Sequence, residues 1–566
     1  MTASTPRPPS ELDQLADRFV DEYAADQPTV ATYIGVPGHD DRWPDLTPDG
    51  HAARGELLRR TATAARLLAP VDRREEVARA AMVERLDAEL ARIDAGLTAA
   101  DLNPVDCPLV DLRSTFDLMA SDSEADWATI ARRLAAVPEA LRGYALGLDD
   151  AARSGRRSAA RQVRLSAAAA RRWAGRPERP GFFAGLVASA PGSVVAAGGA
   201  LATDLQRAAG SAAGALHEFA DHLERELLPG APQADAVGLE RYQIESRYFT
   251  GVDLDLTEAY AWGWAELDRI VAEKREVAEL IAPGQGIAGA MAVLDADPAR
   301  MVRGRDALQA WLQDTGDRAI AALADVHFDI PAPIRRIEGR LTPTSGEGVY
   351  YSAPSEDFSR PGRMWWSLPD GAPDMTTWRE TTTVFHEGVP GHHLQIGQTL
   401  TNAARLNRWQ RTLCFCSAHA EGWALYAERL MGELGFLEDL GDRLGMLDAA
   451  ELRAARVVLD IGVHLDLPIP AGHGVPAERW SYEVAADFLS EHVSMEDQMR
   501  TDELHRYLGW PGQAPVYKLG ERVFLAGREA ARARHGAAFD LTGWHRDVLD
   551  LGPLGLGPLA DELARL

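Results

Sequence analysis

The run Trp378-Arg-Glu-Thr-Thr-Thr-Val-Phe-His386-Glu387-Gly-Val-Pro390-Gly391-His392-His393 decides how this chain is read. From Trp378 to Glu387 there is no Pro or Gly, and Val384 and Phe385 supply apolar anchors. The segment predicts a helix, entered through a turn at 374–377, with His386 and Glu387 in its C-terminal half. In the arrangement H-E-x-x-H, two imidazoles four apart share a helix face and bind zinc, and the intervening Glu polarises the metal-bound water. Here the residue four after His386 is Pro390, so the simple spacing fails.

Two geometries repair it. In an unbroken helix His393 lies about 20° around from His386 but roughly 10 Å further along the axis, a long gap for one ion. Alternatively, Pro390 cannot donate to the carbonyl of His386 and Gly391 permits unusual dihedrals. A two-residue bulge at that step carries His392 into the place of the missing ligand. His386 and His392 are therefore the expected pair, with His393 the alternate. The unused His would support a ligand or contact substrate. The plain alternative is a polar turn after a helix.

A catalytic site with one open position needs a third protein ligand. In Ser417-Ala-His-Ala-Glu421-Gly-Trp-Ala-Leu-Tyr426-Ala-Glu428 the pattern is helical, and two glutamates seven apart share a face. Glu421 is the expected ligand, and Glu428 the carboxylate that orients a ligand imidazole; two ordinary surface glutamates are the alternative. His419 is a weaker ligand candidate. Further on, Arg456-x-x-x-Asp460-x-x-x-His464 places three polar groups on one face of an apolar helix, either as a structural ion network or reaching the site. In the functional case Asp460 supports the site and His464 acts in it. Arg506-Tyr507 and Tyr517-Lys518 offer oxyanion donors, of which Tyr517 is preferred over a reading as plain buried tyrosine.

Outward from these motifs the pattern is helical for most of the 566 residues. Ser10 reads as an N-cap before Leu12, Leu15, Phe19 and Tyr23, and Asp255-x-x-Glu258 as a capping box before the stripe Tyr260, Trp264, Leu267 and Val271. Residues 187–215, rich in Ala, Gly and Ser, read as a packed helix pair. A soft boundary near 245 separates a helical region, 1–245, from a catalytic region, 246–566. Between 334 and 368, β-rich runs such as Gly348-Val-Tyr350-Tyr351-Ser352 and Arg363-Met-Trp365-Trp366-Ser367 predict a small antiparallel sheet beside the His-Glu helix. Tyr350, Tyr351, Trp365 and Trp366 would line a cleft wall there or belong to the core.

The formal net charge is −26, which argues against nucleic acid and anionic membranes as partners. The polar, Pro-rich start lacks an apolar signal core, and there is no long apolar span. Three sparse cysteines, Cys107, Cys414 and Cys416, fit buried thiols in a reducing compartment, so the expected location is cytoplasmic. The sequence assigns no oligomeric state.

The motifs H-E-G-V-P-G-H-H-L-Q (386–395), E-G-W-A-L-Y-A-E (421–428), R-V-V-L-D-I-G-V-H (456–464) and P-G-Q-A-P-V-Y-K-L-G (511–520) resemble those of the bacterial family catalogued as domain of unknown function 885, over nearly the whole chain. The resemblance implies a mainly α-helical, zincin-like body and a metal-dependent hydrolase. The layout is also similar to thimet/neurolysin-type oligopeptidases, whose H-E-F-G-H maps onto His386, Glu387, Gly391 and His392 with two residues inserted, and whose later glutamates map onto Glu421 and Glu428. The expectation is a Zn2+ peptidase for short peptides, with Glu387 as general base. A zinc hydrolase of other amides or esters and a catalytically silent binding protein are the competing expectations.

Overall fold

The computed structural model describes residues 9–176, 178–193, 195, 198–342, 348–368 and 374–566. It is mainly α-helical, and helices start where capping chemistry allows. Ser10 and Asp13 form a reciprocal capping box on Glu11–Asp26, which buries Leu12, Leu15 and Phe19. The Asp255 carboxylate accepts from the amides of Thr257 and Glu258 and starts Leu256–Ile281. That helix buries Tyr260, Trp264 and Leu267 along the long helix Leu440–His464. Gly263 makes the crossing close, because a Cβ there would lie 2.8 Å from Val457 Cγ1.

The apolar core has two parts. One draws on residues between Leu46 and Ala231, including the packed pair Phe182–Ala188 and Ala200–His222. The other joins Leu12 to Leu90 with Tyr242 to Leu563. The first helices of the chain thus pack into the body formed after residue 242, so the core divides the molecule differently from a cut near 245.

The expected sheet is present, and its pairing is mixed. Gly362–Trp366 lies in the centre, antiparallel to Val349–Ser352 and parallel to Ile337–Leu341. The parallel pair arises because Val349–Ser352 takes the far edge of the central strand instead of pairing with Ile337–Leu341. Ile337, Gly339 and Met364 face the helix Arg305–Leu323, where Gly316 and Leu312 approach them. Residues 343–347, within the predicted sheet region, lie outside the described residues. The turn expected at 374–377 is instead a short strand, Asp374–Thr376, paired with Met301–Arg303, and it feeds directly into Thr377–Glu387.

No single helix among the described residues is long and apolar enough to cross a membrane. The bent pair Leu256–Ile281 and Gly286–Asp295 meets the length and composition only jointly, and its apolar residues belong to the core. All three cysteines are buried free thiols, with Sγ donating to the carbonyls of Asn103, Pro553 and Phe249.

Candidate metal centre

The His-Glu helix ends at Glu387 and a second helix, His392–Thr401, begins at His392. The expected bulge within one helix is therefore a break between two. Glycine is required at both ends of residues 388–391 for lack of space: a Cβ would lie 2.6 Å from Val384 O at Gly388 and 2.0 Å from His386 O at Gly391. The break is closed by Gly391 N–H donating to Phe385 O at 3.0 Å and His393 N–H to Gly388 O at 3.0 Å. From the facing helix Ser417–Glu433, the Trp423 indole N–H donates to Pro390 O at 2.8 Å.

This backbone brings His386, His392 and Glu421 together, with one candidate ligand atom from each lying within 4.8 Å of the others. His386 Nε2 is 3.2 Å and His392 Nε2 3.5 Å from the same oxygen, Glu421 Oε2. The two rings stand nearly perpendicular, at 83°, with centroids 4.8 Å apart. Behind His386, Nδ1 is 2.7 Å from Glu428 Oε1, whose other oxygen accepts from the Thr382 hydroxyl. With Glu428 ionised, that bond puts the proton on Nδ1 and leaves the Nε2 lone pair facing His392 and Glu421. Glu387 is buried beside them, and among the described residues neither its Oε2 nor His392 Nδ1 has a hydrogen-bond partner.

The charge balance points the same way. Glu387, Glu421 and Glu428 are three neighbouring carboxylates, and beside the histidines Arg453 acts on Glu387 and Glu428. Buried carboxylates in such excess need positive charge among them. Burial by itself would disfavour the His386 cation, but Glu421 and Glu428 outweigh it and raise the group to about 10. Burial would likewise raise Glu421, and the facing imidazoles hold it well below its ordinary value instead. The Glu387 carboxyl is raised, first by burial. Two imidazole nitrogens and a carboxylate oxygen also form a donor set suited to Zn2+, so the residues fit that ion.

His393 does not share the cluster. Its Nε2 is 2.9 Å from Ile334 O and its Nδ1 3.0 Å from the Tyr351 hydroxyl, so both ring nitrogens are occupied. His419 points away, with Nδ1 3.1 Å from Gln395 Nε2 and its ring against Phe524. Three further candidates have other partners. Asp460 Oδ2 accepts from the Tyr242 hydroxyl at 2.5 Å and from Gly512 N–H at 2.8 Å. His464 Nε2 is 2.9 Å from Tyr507 O. Tyr517 accepts from Arg506 at 3.3 Å and lies under the Arg456 guanidinium, 4.7 Å from the ring centre. None of the three hydrogen-bonds or ion-pairs with His386, His392, Glu387 or Glu421. The partners that Asp460, His464 and Tyr517 do have are the helices around Tyr242, Tyr507 and Arg506. Among the sheet aromatics, Tyr351 reaches the site, its ring 6.4 Å from that of His392. Tyr350 stacks on Trp365, and Trp366 is buried with its indole N–H on Glu380.

Sequence reasoning missed Thr382, Arg453 and Trp423. Thr382 lies one turn before His386, Arg453 lies on the helix that carries Arg456, and Trp423 sits inside E-G-W-A-L-Y; the helical spacing of the first two was a usable signal.

The fold recurs in solved structures. The crystal structure described as "the putative lipoprotein from Colwellia psychrerythraea" superposes with a TM-score of 0.85 at 21% identity, covering 98% of each chain. A "putative lipoprotein of unknown function from Shewanella oneidensis" gives a TM-score of 0.73 at 15% identity, covering 98% of this chain and 100% of that one. At these identities the likeness concerns the fold alone. No curated protein matches the sequence. Residues 28–563 match the family described as "Bacterial protein of unknown function (DUF885)", and over that length this chain belongs to it.

Proposed function

We propose that this protein is a zinc-dependent hydrolase of the zincin-like kind, acting on short peptides. One observation carries the reading: His386, His392 and Glu421 converge within 4.8 Å, with the buried Glu387 adjacent. His386, His392 and Glu421 would hold the ion, and Glu428 with Thr382 would fix the His386 ring. Zinc, when bound, supplies Lewis acidity toward a carbonyl oxygen and toward water.

The chain's own residues supply the rest. Glu387 Oε2, buried and unpartnered, is free to accept a proton from water and return it to a leaving amine. Its raised affinity for a proton suits that exchange. The Tyr351 ring lies 6.4 Å from that of His392, and its hydroxyl would serve a developing negative charge on leaving His393 Nδ1. A cytoplasmic location is supported by the three free thiols, whereas the two similar structures are described as lipoproteins; cell fractionation decides.

The test is elemental analysis combined with turnover of a short-peptide mixture. Zinc near one equivalent and peptide cleavage are expected in the wild type. Glu387→Gln should keep the zinc and lose about 10²- to 10⁴-fold in rate. Zinc binding with cleavage of acylamides or esters but not peptides moves the reading to a non-peptide hydrolase. A protein that neither holds zinc nor loses a rate on Glu387→Gln is a binding protein, and the reading is then wrong.

A further inference from the structure

A second polar site lies away from the metal cluster, where the two parts of the core meet. A cavity of about 100 Å³ is lined by residues between Gln27 and Leu112, and no residue of the metal cluster is among them. Leu46 and Leu112 on its wall belong to one part of the core. The helix Pro48–Leu67, which brings in His51 and Arg54, sends Leu57 and Leu58 into the other. Junctions between packed units are common places for small-molecule sites. A cavity of ~150 Å³ admits benzene, so this one has room for roughly four to six non-hydrogen atoms.

Three side chains of this wall carry buried polar atoms with nothing to bond. Arg54 Nη2, His51 Nδ1 and Thr98 Oγ1 have no hydrogen-bond partner among the described residues. Arg54 is 7% and His51 8% exposed. The Arg54 guanidinium is held from its other side, where Nε donates to Asp26 Oδ2 at 3.2 Å. Burial first, and the Arg54 charge next, lower His51 to about 4, so its ring is neutral near pH 7 and keeps one donor and one acceptor. Arg54 Nη2 only donates, and the Thr98 hydroxyl is able to donate as well, so this end of the cavity suits an oxygen acceptor. The two acids of the wall differ. Asp101 accepts from Arg92 Nη2 and from Asn103 Nδ2, each at 3.1 Å. Asp111, in the first turn of the helix Pro108–Leu118, has no ion pair or side-chain hydrogen bond among the described residues. It is exposed, so the cavity is reached from solvent on that side. The charged groups that act on it, Asp106 and Asp101, are both acids. Unfilled donors at the buried end and an unmatched carboxylate at the open end call for a ligand with one negative and one positive group. Water fills a polar cavity by default but brings no charge to either end.

We propose that this cavity binds a small free α-amino acid, its carboxylate on Arg54 and Thr98 and its ammonium on Asp111. Glycine and alanine are of the size the volume admits, and the bulkier amino acids are not. The site is separate from the hydrolase reading and stands or falls without it.

The whole protein is titrated in a calorimeter with L-alanine, with propionate and ethylammonium, which each keep one charged end, and with L-phenylalanine, which keeps both ends but exceeds the volume. Every titration is repeated after treatment with a chelator, because an amino acid also binds metal. L-alanine is expected to bind at one equivalent with or without chelator, about ten- to a hundredfold tighter than either one-ended probe, the range for one charged hydrogen-bonded contact. L-phenylalanine should not bind. Asp111→Asn should bring L-alanine down to the level of propionate, and Thr98→Val should weaken it about two- to tenfold. Arg54→Gln would also break the bond to Asp26, so the variants at Asp111 and Thr98, whose side chains have no hydrogen-bond partner to lose, carry the test; their melting temperatures verify the fold. No binding of L-alanine by the wild type would leave water as the occupant and overturn the site. Equal affinity for L-alanine and either one-ended probe, or unchanged affinity in Asp111→Asn, would overturn it too. Binding that disappears with the chelator would put the amino acid on the metal cluster, which also overturns the proposal.

Discussion

Around His386 the polar side chains of neighbouring helices turn toward one point, whereas around His464 they turn to separate partners. Both regions place histidine and carboxylate on helices at helical spacing, and both are buried. At His386 the outer nitrogen is fixed by Glu428, and the inner one meets His392 and Glu421 in a cluster short of positive charge. At His464 only Nε2 is engaged, on Tyr507 O, and Asp460 Oδ2 takes the Tyr242 hydroxyl and the Gly512 amide; among the described residues His464 Nδ1 and Asp460 Oδ1 have no hydrogen-bond partner, and they meet no second imidazole. The first arrangement asks for a cation. The second ties a long helix to its neighbours. Residue type and spacing therefore do not separate a ligand from a strut; the convergence of donor atoms from three side chains does.

The largest expected effect breaks the comparison outright. His392→Ala should lower zinc affinity by more than about 100-fold, beyond the range seen when only a supporting group is removed, whereas His393→Ala and His464→Ala should leave it unchanged. Competition with a chromogenic chelator reads this directly, and zinc loss in His393→Ala would reverse the assignment of the adjacent pair. Next comes Glu428→Gln, which keeps the shape but weakens the hold on His386 Nδ1; zinc affinity should fall about 10- to 100-fold. His464→Ala should instead cost on the order of 1–3 kcal/mol in denaturant unfolding, with zinc content intact.

The smallest effect is in pH dependence. Burial raises the Asp460 carboxyl to about 7 despite the bonds from Tyr242 and Gly512. Between its unfolded value near 4 and about 7, the folded chain holds a proton that the unfolded chain releases, so stability falls as pH rises through that window. Asp460→Asn should flatten that slope and be relatively more stable at pH 8 than at pH 5. An unchanged profile would show that Asp460 is ionised in the fold.

Much of the helical body is legible because caps and apolar periodicity are local: Ser10, Asp255 and the stripe through Trp264 need no distant partner. Glu421 and Glu428 are legible as one face for the same reason. The break at 388–391 is less so, because whether Pro-Gly bends a helix or ends it depends on the close approach of Gly391 to His386 O and on the Trp423 bond. Asp460 and His464 misled because their partners, Tyr242, Tyr507 and Gly512, come from other parts of the chain. The parallel edge of the sheet was hidden likewise: strand composition states that a run is extended but not which neighbour it chooses.

Trp423 lies two residues after Glu421 and grips the carbonyl of Pro390. The helix that delivers the carboxylate therefore also sets the length of the hinge between the two imidazoles. Deleting two residues to restore the common four-residue spacing would remove the indole's acceptor along with the hinge. A redesign that shortened this segment would have to rebuild the opposite helix at the same time, so the longer spacing and the tryptophan form a single inheritable unit.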